Sequence, residues 1–310
     1  MKTHKCVEIA HRQLATGAAG LTCQKLGEAE VMADAGFDDL LIPFNLVGEP
    51  KLDRLQALLR RVALTVSVDD ERLLDGLAGA VAGAGRELGV LVECDTGLGR
   101  VGVGSPEAAV ALASEIARRD GLRFEGFLTY PSPRAAVEFL AAAVAGAEAA
   151  GLEVRSVSAG GTPSMWKAGE LRPAVTEYRV GTYAFYDRNS VGAGVASLDD
   201  VAMTIRATVV SRPASFRAIL DAGSKALAFD PSPAGGHGLI LEAPNSSIVN
   251  LNEEHGYVDL SPGDSLELGQ QVRVVPNHTC VVSNLFDEFL VEQGRDIVGR
   301  WTIDARGRSA

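Results

Sequence analysis

Gly89-Val90-Leu91-Val92-Glu93-Cys94 is a short apolar run that stops at the turn Asp95-Thr96-Gly97, and it reads as a buried strand. Ser105 to Arg119 then carries a helical pattern with Pro106 at its first position, and Phe124 to Tyr130 is the next strand. The same alternation extends both ways. Upstream, Lys2 to His4, Gly20 to Gln24, Asp38 to Phe44 and Val62 to Val66 read as strands. Between them lie helical stretches at Cys6 to Thr16, Gly27 to Ala35, Lys51 to Arg60 and Asp69 to Leu88, with Gly36 as a stop and Asp69 as an N-cap. Downstream, Arg134 to Ala150 is helical, and Leu152 to Ser158 and Thr176 to Val180 are strands. Eight apolar strands, each followed by a helix or turn, predict a (β/α)8 TIM barrel over residues 1–195 whose first strand is truncated.

From Val201 the texture changes. Val201 to Val210, Phe216 to Leu220, Gly238 to Leu241, Ser247 to Leu251, Gln271 to Val275 and Val298 to Ile303 are short strands separated by Pro, Gly, Asp and Asn turns. They predict a C-terminal antiparallel β domain over residues 196–310.

Composition limits the function classes. The chain has 310 residues, is 46% hydrophobic and carries a formal net charge of −11, a balance that disfavours nucleic acid and anionic membrane as partners. Cys6, Cys23, Cys94 and Cys280 lie far apart without C-x-x-C spacing, which points to buried thiols and a reducing compartment. Neither a secretory h-region nor a spanning apolar run is visible, so the expected location is the cytoplasm.

Chemistry on a barrel sits at the C-terminal ends of its strands. Those ends present Lys2 and His4, Gln24, Pro43-Phe44, the Glu93 to Gly97 turn with Arg100, Tyr130, Ser158-Ala-Gly-Gly-Thr-Pro163 and Arg179-Val-Gly-Thr-Tyr183. The turn at Gly161 and Thr162 opens a helix and is suited to wrapping N–H groups and a hydroxyl around a phosphate. A second turn at Gly181 and Thr182, on the adjacent strand, strengthens that reading. A lysine ending strand one together with a phosphate cradle fits pyridoxal 5′-phosphate (PLP) held as a Schiff base. Tyr130 would contact the ring and Arg100 or Gln24 its O3′, although Arg100 also reads as a partner of Asp95. Lys5 and Lys225 are rival lysines, Lys225 being better read as a support for a turn.

The second constellation is Pro276-Asn-His278-Thr-Cys280. Taken as an extended segment, it directs His278 and Cys280 to one side, where a histidine and a thiolate suit zinc. Two protein ligands leave room for water or substrate, as in a catalytic site. Glu253-Glu254-His255 offers a further base or supporting residue, and equally reads as a solvated turn.

Lys2-Thr-His-Lys5, Gln13, Gly17 to Gly20, Glu28-Ala-Glu30, Ser158 to Pro163, Arg179 to Tyr183 with Asp187, Asp221-Ala-Gly-Ser-Lys225, Glu253-Glu-His-Gly256 and Pro276 to Cys280 together resemble the D-threonine aldolase and D-serine dehydratase family along essentially the whole chain. The resemblance implies a fold-type III PLP enzyme with an alanine-racemase-like barrel, acting as a lyase on D-3-hydroxy amino acids with a divalent metal (Zn, or Mn, Mg or Co). It implies Lys2 as the PLP lysine, Tyr130, Thr162, Gly181 and Thr182 at the cofactor, His278 and Cys280 at the metal, and a homodimer. Family members carry a further segment before this lysine, so Lys2 is expected on a terminus that stays ordered only where packing holds it. Tyr130-Pro-Ser-Pro133 stands where dehydratases continue with a histidine and a glycine-rich loop, which tilts the expectation towards retro-aldol cleavage of D-threonine-like substrates to glycine and an aldehyde. The His278/Cys280 pair pulls towards a D-serine or 3-hydroxy-D-aspartate dehydratase, since aldolases resemble it with aspartate as second ligand. A PLP-binding protein without turnover is the alternative of another class.

Overall fold

The structure, a computed structural model, describes residues 1–132, 134–294 and 296–310; Pro133 of the Tyr130 to Pro133 stretch and Arg295 lie outside the described residues. The chain forms two compact units. Met1–Lys2, Cys6–Val180 and Gly307–Ala310 make the first, and Thr3–Lys5 with Gly181–Arg306 the second.

In the first unit, seven strands pair in sequence order as one parallel sheet: β1 (Leu21–Thr22), β2 (Asp39–Ile42), β3 (Ala63–Val68), β4 (Leu88–Cys94), β5 (Leu122–Thr129), β6 (Ser156–Ala159) and β7 (Glu177–Tyr178). Helices α1 (Val7–Ala15), α2 (Leu26–Asp34), α3 (Glu49–Leu59), α4 (Leu74–Val81), α5 (Pro106–Ala117) and α6 (Ala135–Ala149) alternate with them. Strand order that follows chain order with a helix at the crossovers is the construction of the expected barrel wall. Every residue of β4 is buried, as an apolar strand covered on both faces must be. In α5, Ser105 Oγ accepts the Ala108 N–H at 3.2 Å, and Ala109, Leu112, Ala113 and Ile116 form the buried stripe at helical spacing.

Three sequence expectations need correction here. Residues 2–4 form a turn rather than a strand, and Lys5 at φ 54° takes a left-handed conformation that no strand accommodates. The cap before the fourth helical segment is Asp70, which accepts the Arg72 N–H in a 3₁₀ turn; Asp69 accepts instead from Asn45 Nδ2 and the Gly102 N–H. That helical segment also ends at Val81, well before Leu88.

The second unit contains a six-stranded sheet whose pairings are antiparallel, built from β8 (Ile205–Ala214), β9 (Arg217–Leu220), β10 (Leu239–Ile240), β11 (Ser247–Leu251), β12 (Gly256–Asp259) and β13 (Gln271–Val275) in the order β10-β13-β8-β9-β12-β11. A separate hairpin joins β14 (Glu288–Gln293) to β15 (Asp296–Thr302). Ile205, Ala207 and Val209 alternate inward along β8 and meet Val272 and Val274 of β13 in the core. Short helices α7 (Arg188–Gly192), α8 (Ser224–Leu227) and α9 (Thr279–Ser283) interrupt the β texture. Among the described residues no helix is long and apolar enough to cross a membrane.

Candidate active site

The first unit holds one group of candidate residues. Met1 is buried and its α-ammonium donates to the Thr22 carbonyl at 3.0 Å, at the C-terminal end of β1. Packing therefore fixes the residue before Lys2, and Lys2 itself is exposed on its turn. Gln24 continues from β1: its backbone N–H donates to the buried Glu28 carboxylate at 2.6 Å and its side-chain amide to the Pro43 carbonyl at 3.2 Å. Arg100 lies 5.6 Å from the centre of the Tyr130 ring, within cation–π range. Asp95 does not pair with Arg100; its carboxylate accepts the N–H groups of Gly97, Leu98 and Gly99.

The loop after β6 is built by close approach. Gly160 has φ +100°, and a Cβ there would stand 2.5 Å from the Tyr178 ring; a Cβ on Gly161 would stand 2.7 Å from the Tyr130 ring. Only glycines allow both rings to close on this turn. The Gly160 N–H donates to Ser132 Oγ at 2.5 Å, and Tyr178 Oη bonds the Gly161 carbonyl at 3.2 Å and Ser164 Oγ at 2.8 Å. Buried Thr162 starts a 3₁₀ run, Thr162–Leu171, rather than an α-helix. A glycine cradle with a hydroxyl at a helical N-terminus, on the C-terminal side of a barrel strand, fits a phosphate.

Sequence reasoning left Arg179 and Glu93 without a role. Arg179 donates to Ser158 Oγ and, at 2.8 Å, to the Thr129 carbonyl; burial of its guanidinium head brings its pKa down to about 10 against the upward pull of Glu177 and Glu93. Glu93 is buried at the end of β4 and accepts from Ser67 Oγ at 2.6 Å. Burial raises its pKa, with the Ser67 bond and the Arg179 charge opposing. Cys94 beside it is pushed up to about 12 by burial and, like Cys6 and Cys23, is a buried thiol.

The second unit holds the other group. His278 is the N-cap of α9 and Cys280 lies in the first turn of that helix, so the segment is not extended as the alternation argument supposed. The two side chains are neighbours nonetheless: Cys280 is among the groups that raise the His278 pKa to about 10, after the larger effect of the Asp187 hydrogen bond. His278 Nδ1 lies 2.9 Å from Asp187 Oδ2, and the ring is also hydrogen-bonded to the Cys280 side chain. Cys280 Sγ lies 3.1 Å from Thr3 Oγ1. Among the described residues there is no group of three or more His, Cys, Asp or Glu able to hold a metal. A histidine and a thiol side by side therefore fit a cation only when other donors complete its sphere, the open arrangement of catalytic sites.

Gly181 caps the short 3₁₀ turn Thr182–Ala184 and packs so closely on Thr3 that a Cβ would meet Thr3 Oγ1 at 2.9 Å. His255 sits exposed on the turn between β11 and β12. Lys225 pairs with Glu254 at 2.6 Å on the surface, and that partner raises its pKa. Lys5 is buried, with its carbonyl accepting the Ala305 N–H at 2.9 Å.

Two family models match this chain. The alanine racemase N-terminal domain family matches residues 1–189, and the putative serine dehydratase domain family matches residues 202–292. A D-threonine aldolase from Arthrobacter sp. is 35% identical over 99% of this chain and 84% of its own. A solved D-threonine aldolase from Filomicrobium marinum superposes with a TM-score of 0.91 at 33% identity, covering 100% of this chain and 88% of that one. A variant of D-threo-3-hydroxyaspartate dehydratase, solved in a metal-free form, superposes with a TM-score of 0.86 at 29% identity over 97% of this chain and 88% of that one. With an alanine-racemase-like parallel wall, an antiparallel second sheet and relatives of this similarity along nearly its whole length, the chain belongs to the D-threonine aldolase and D-serine dehydratase family of PLP-dependent lyases.

Proposed function

We propose that this chain cleaves D-3-hydroxy amino acids of the D-threonine type to glycine and an aldehyde, using PLP and a divalent cation. PLP, when bound, supplies the electron sink for negative charge developing at Cα. Lys2 would hold it, Gly161, Thr162, Gly181 and Thr182 would bind its phosphate, and Tyr130, Gln24 and Arg100 would contact its ring. His278 and Cys280 would hold the cation, and it would supply Lewis acidity towards the substrate β-hydroxyl. His255, on an exposed turn without a hydrogen bond to His278 among the described residues, is a weak choice for the base.

One observation carries the reading. Thr3, whose hydroxyl touches Cys280, follows Lys2 by one peptide bond, so chain connectivity alone keeps the Cα atoms of Lys2 and Thr3 about 3.8 Å apart. The residue that touches the thiol is thus the sequence neighbour of the lysine.

The test is product analysis of the PLP-loaded, metal-supplemented protein. D-threonine should give glycine and acetaldehyde. Pyruvate and ammonia from D-serine, with no glycine from D-threonine, would instead establish a dehydratase, the reading favoured by cysteine as the second ligand. Turnover of neither would leave a PLP-binding protein.

A further inference from the structure

The side chain behind His278 is more fully engaged than a structural cap requires. Asp187 is 1% exposed, and each of its carboxylate oxygens accepts two hydrogen bonds. Oδ1 takes the Ser190 N–H at 2.8 Å and the Ser190 hydroxyl at 2.6 Å. Oδ2 takes the Thr279 N–H at 3.2 Å and His278 Nδ1 at 2.9 Å. The backbone holds the two partners in register, because the Arg188 N–H donates to the Pro276 carbonyl at 3.0 Å and the Asn189 N–H to the Asn277 carbonyl at 3.2 Å. Asp187 therefore has neither room nor freedom to turn away from the imidazole.

An ionised carboxylate only accepts hydrogen bonds. The Ser190 N–H and hydroxyl and the Thr279 N–H all face its oxygens, a surrounding that suits a carboxylate as acceptor. With that carboxylate as acceptor, the fourth bond is donated by His278 Nδ1–H, and a ring that serves as a metal ligand does so through Nε2.

We infer that Asp187 is a positioning residue for the metal pair: it fixes the ring plane and the Nδ1–H tautomer of His278, so that Nε2 is presented as a ligand beside Cys280. This rests on the proposed role of His278 and Cys280 and adds a third residue to it, one that does not touch the cation. A carboxylate behind a metal-binding imidazole orients it and raises its basicity, and loss of such a partner typically costs 10–100-fold in metal affinity. At Asp187→Asn the amide nitrogen must face a backbone N–H in either orientation, Thr279 at Oδ2 or Ser190 at Oδ1, so the four-bond hold on the ring is broken at almost constant volume.

The experiment is a Co²⁺ titration of the PLP-loaded protein, followed by the visible absorption of the bound ion, on the wild type, Asp187→Asn, His278→Ala and Cys280→Ala. The wild type should bind one ion per chain, both ligand variants should lose it, and Asp187→Asn should weaken it on the order of 10–100-fold with an unchanged circular dichroism spectrum. Asp187→Asn binding within about twofold of a wild type that does bind overturns the role of Asp187 and leaves the metal pair standing. A wild type that binds no Co²⁺, or ligand variants that bind like it, removes the metal pair and the role of Asp187 with it. Should Asp187→Asn fail to fold, ¹H–¹⁵N spectra of the Zn²⁺-loaded wild type decide: a hydrogen on His278 Nδ1 supports the inference, and one on Nε2 overturns it.

Discussion

Thr3 Oγ1 and Cys280 Sγ lie 3.1 Å apart across 277 positions of sequence. The contact turns a residue of the N-terminal turn into a neighbour of Cys280. Because a thiolate only accepts, the hydroxyl is its donor whenever Cys280 is ionised. Thr3→Val keeps the shape and removes that bond. It should destabilise the fold by about 1 kcal/mol and weaken zinc retention several-fold in competition with a chromophoric chelator. Unchanged retention would show that the hydroxyl does not hold the sulfur.

Gly160 offers a sharper test of the phosphate cradle. Its φ of +100° is strained for any other residue, and the Tyr178 ring occupies the space a Cβ needs. Gly160→Ala should cost on the order of 1–3 kcal/mol in thermal or denaturant unfolding. It should also weaken PLP retention, read from cofactor absorbance after gel filtration. Wild-type retention in a folded variant would take the phosphate away from this loop.

Glu93 sets a pH dependence whose sign follows from burial. Its folded pKa lies above the ordinary 4.5 because burial outweighs the Ser67 bond and the Arg179 charge. The native state therefore binds the proton more tightly than the unfolded chain, and the stability from this group is present in full below pH 4.5 and lost as pH rises through the folded value. Glu93→Gln does not titrate. Relative to wild type it should gain stability between pH 4 and pH 7, measured as a difference in urea midpoints; a constant difference across that range would reject the assignment.

The parts of the fold that the sequence announced are those where burial imposes a pattern. β4 is buried throughout and α5 buries one stripe, so each leaves its period in the residues. β14 is exposed or half-buried along its whole length, with Glu288 and Glu292 in the strand, and a strand with no buried face has no apolar alternation to read. β12 is four residues beside an acidic turn and passes for loop. The helix expected to reach Leu88 stops at Val81 because Gly83 and Gly85 adopt φ of +74° and +75°, which an Ala/Gly-rich pattern conceals.

The site divides in the same way. Gly161, Thr162, His278 and Cys280 stand in short motifs whose chemistry is local, whereas Asp187 meets His278 from 91 positions away and Arg179 meets Thr129 from 50. Nothing in residue spacing encodes such pairs; they exist only once the sheets are assembled.

The three candidate lysines differ in environment more than in position. Lys225 is tied to Glu254 at 2.6 Å, and the carboxylate holds its proton on, so its amine is a poor nucleophile. Lys5 is buried at φ 54°, in a conformation that costs a non-glycine residue on the order of 1–3 kcal/mol. Lys2 is exposed on a turn whose preceding residue is pinned by the bond to Thr22. Borohydride reduction of the PLP-loaded protein followed by peptide mapping should therefore place the label on Lys2, and Lys2→Ala should abolish both the label and turnover. Lys225→Ala should retain the label and cost at most about 1 kcal/mol of stability, as expected for an exposed ion pair. Label on the Lys5 or Lys225 peptide would move the cofactor away from Lys2.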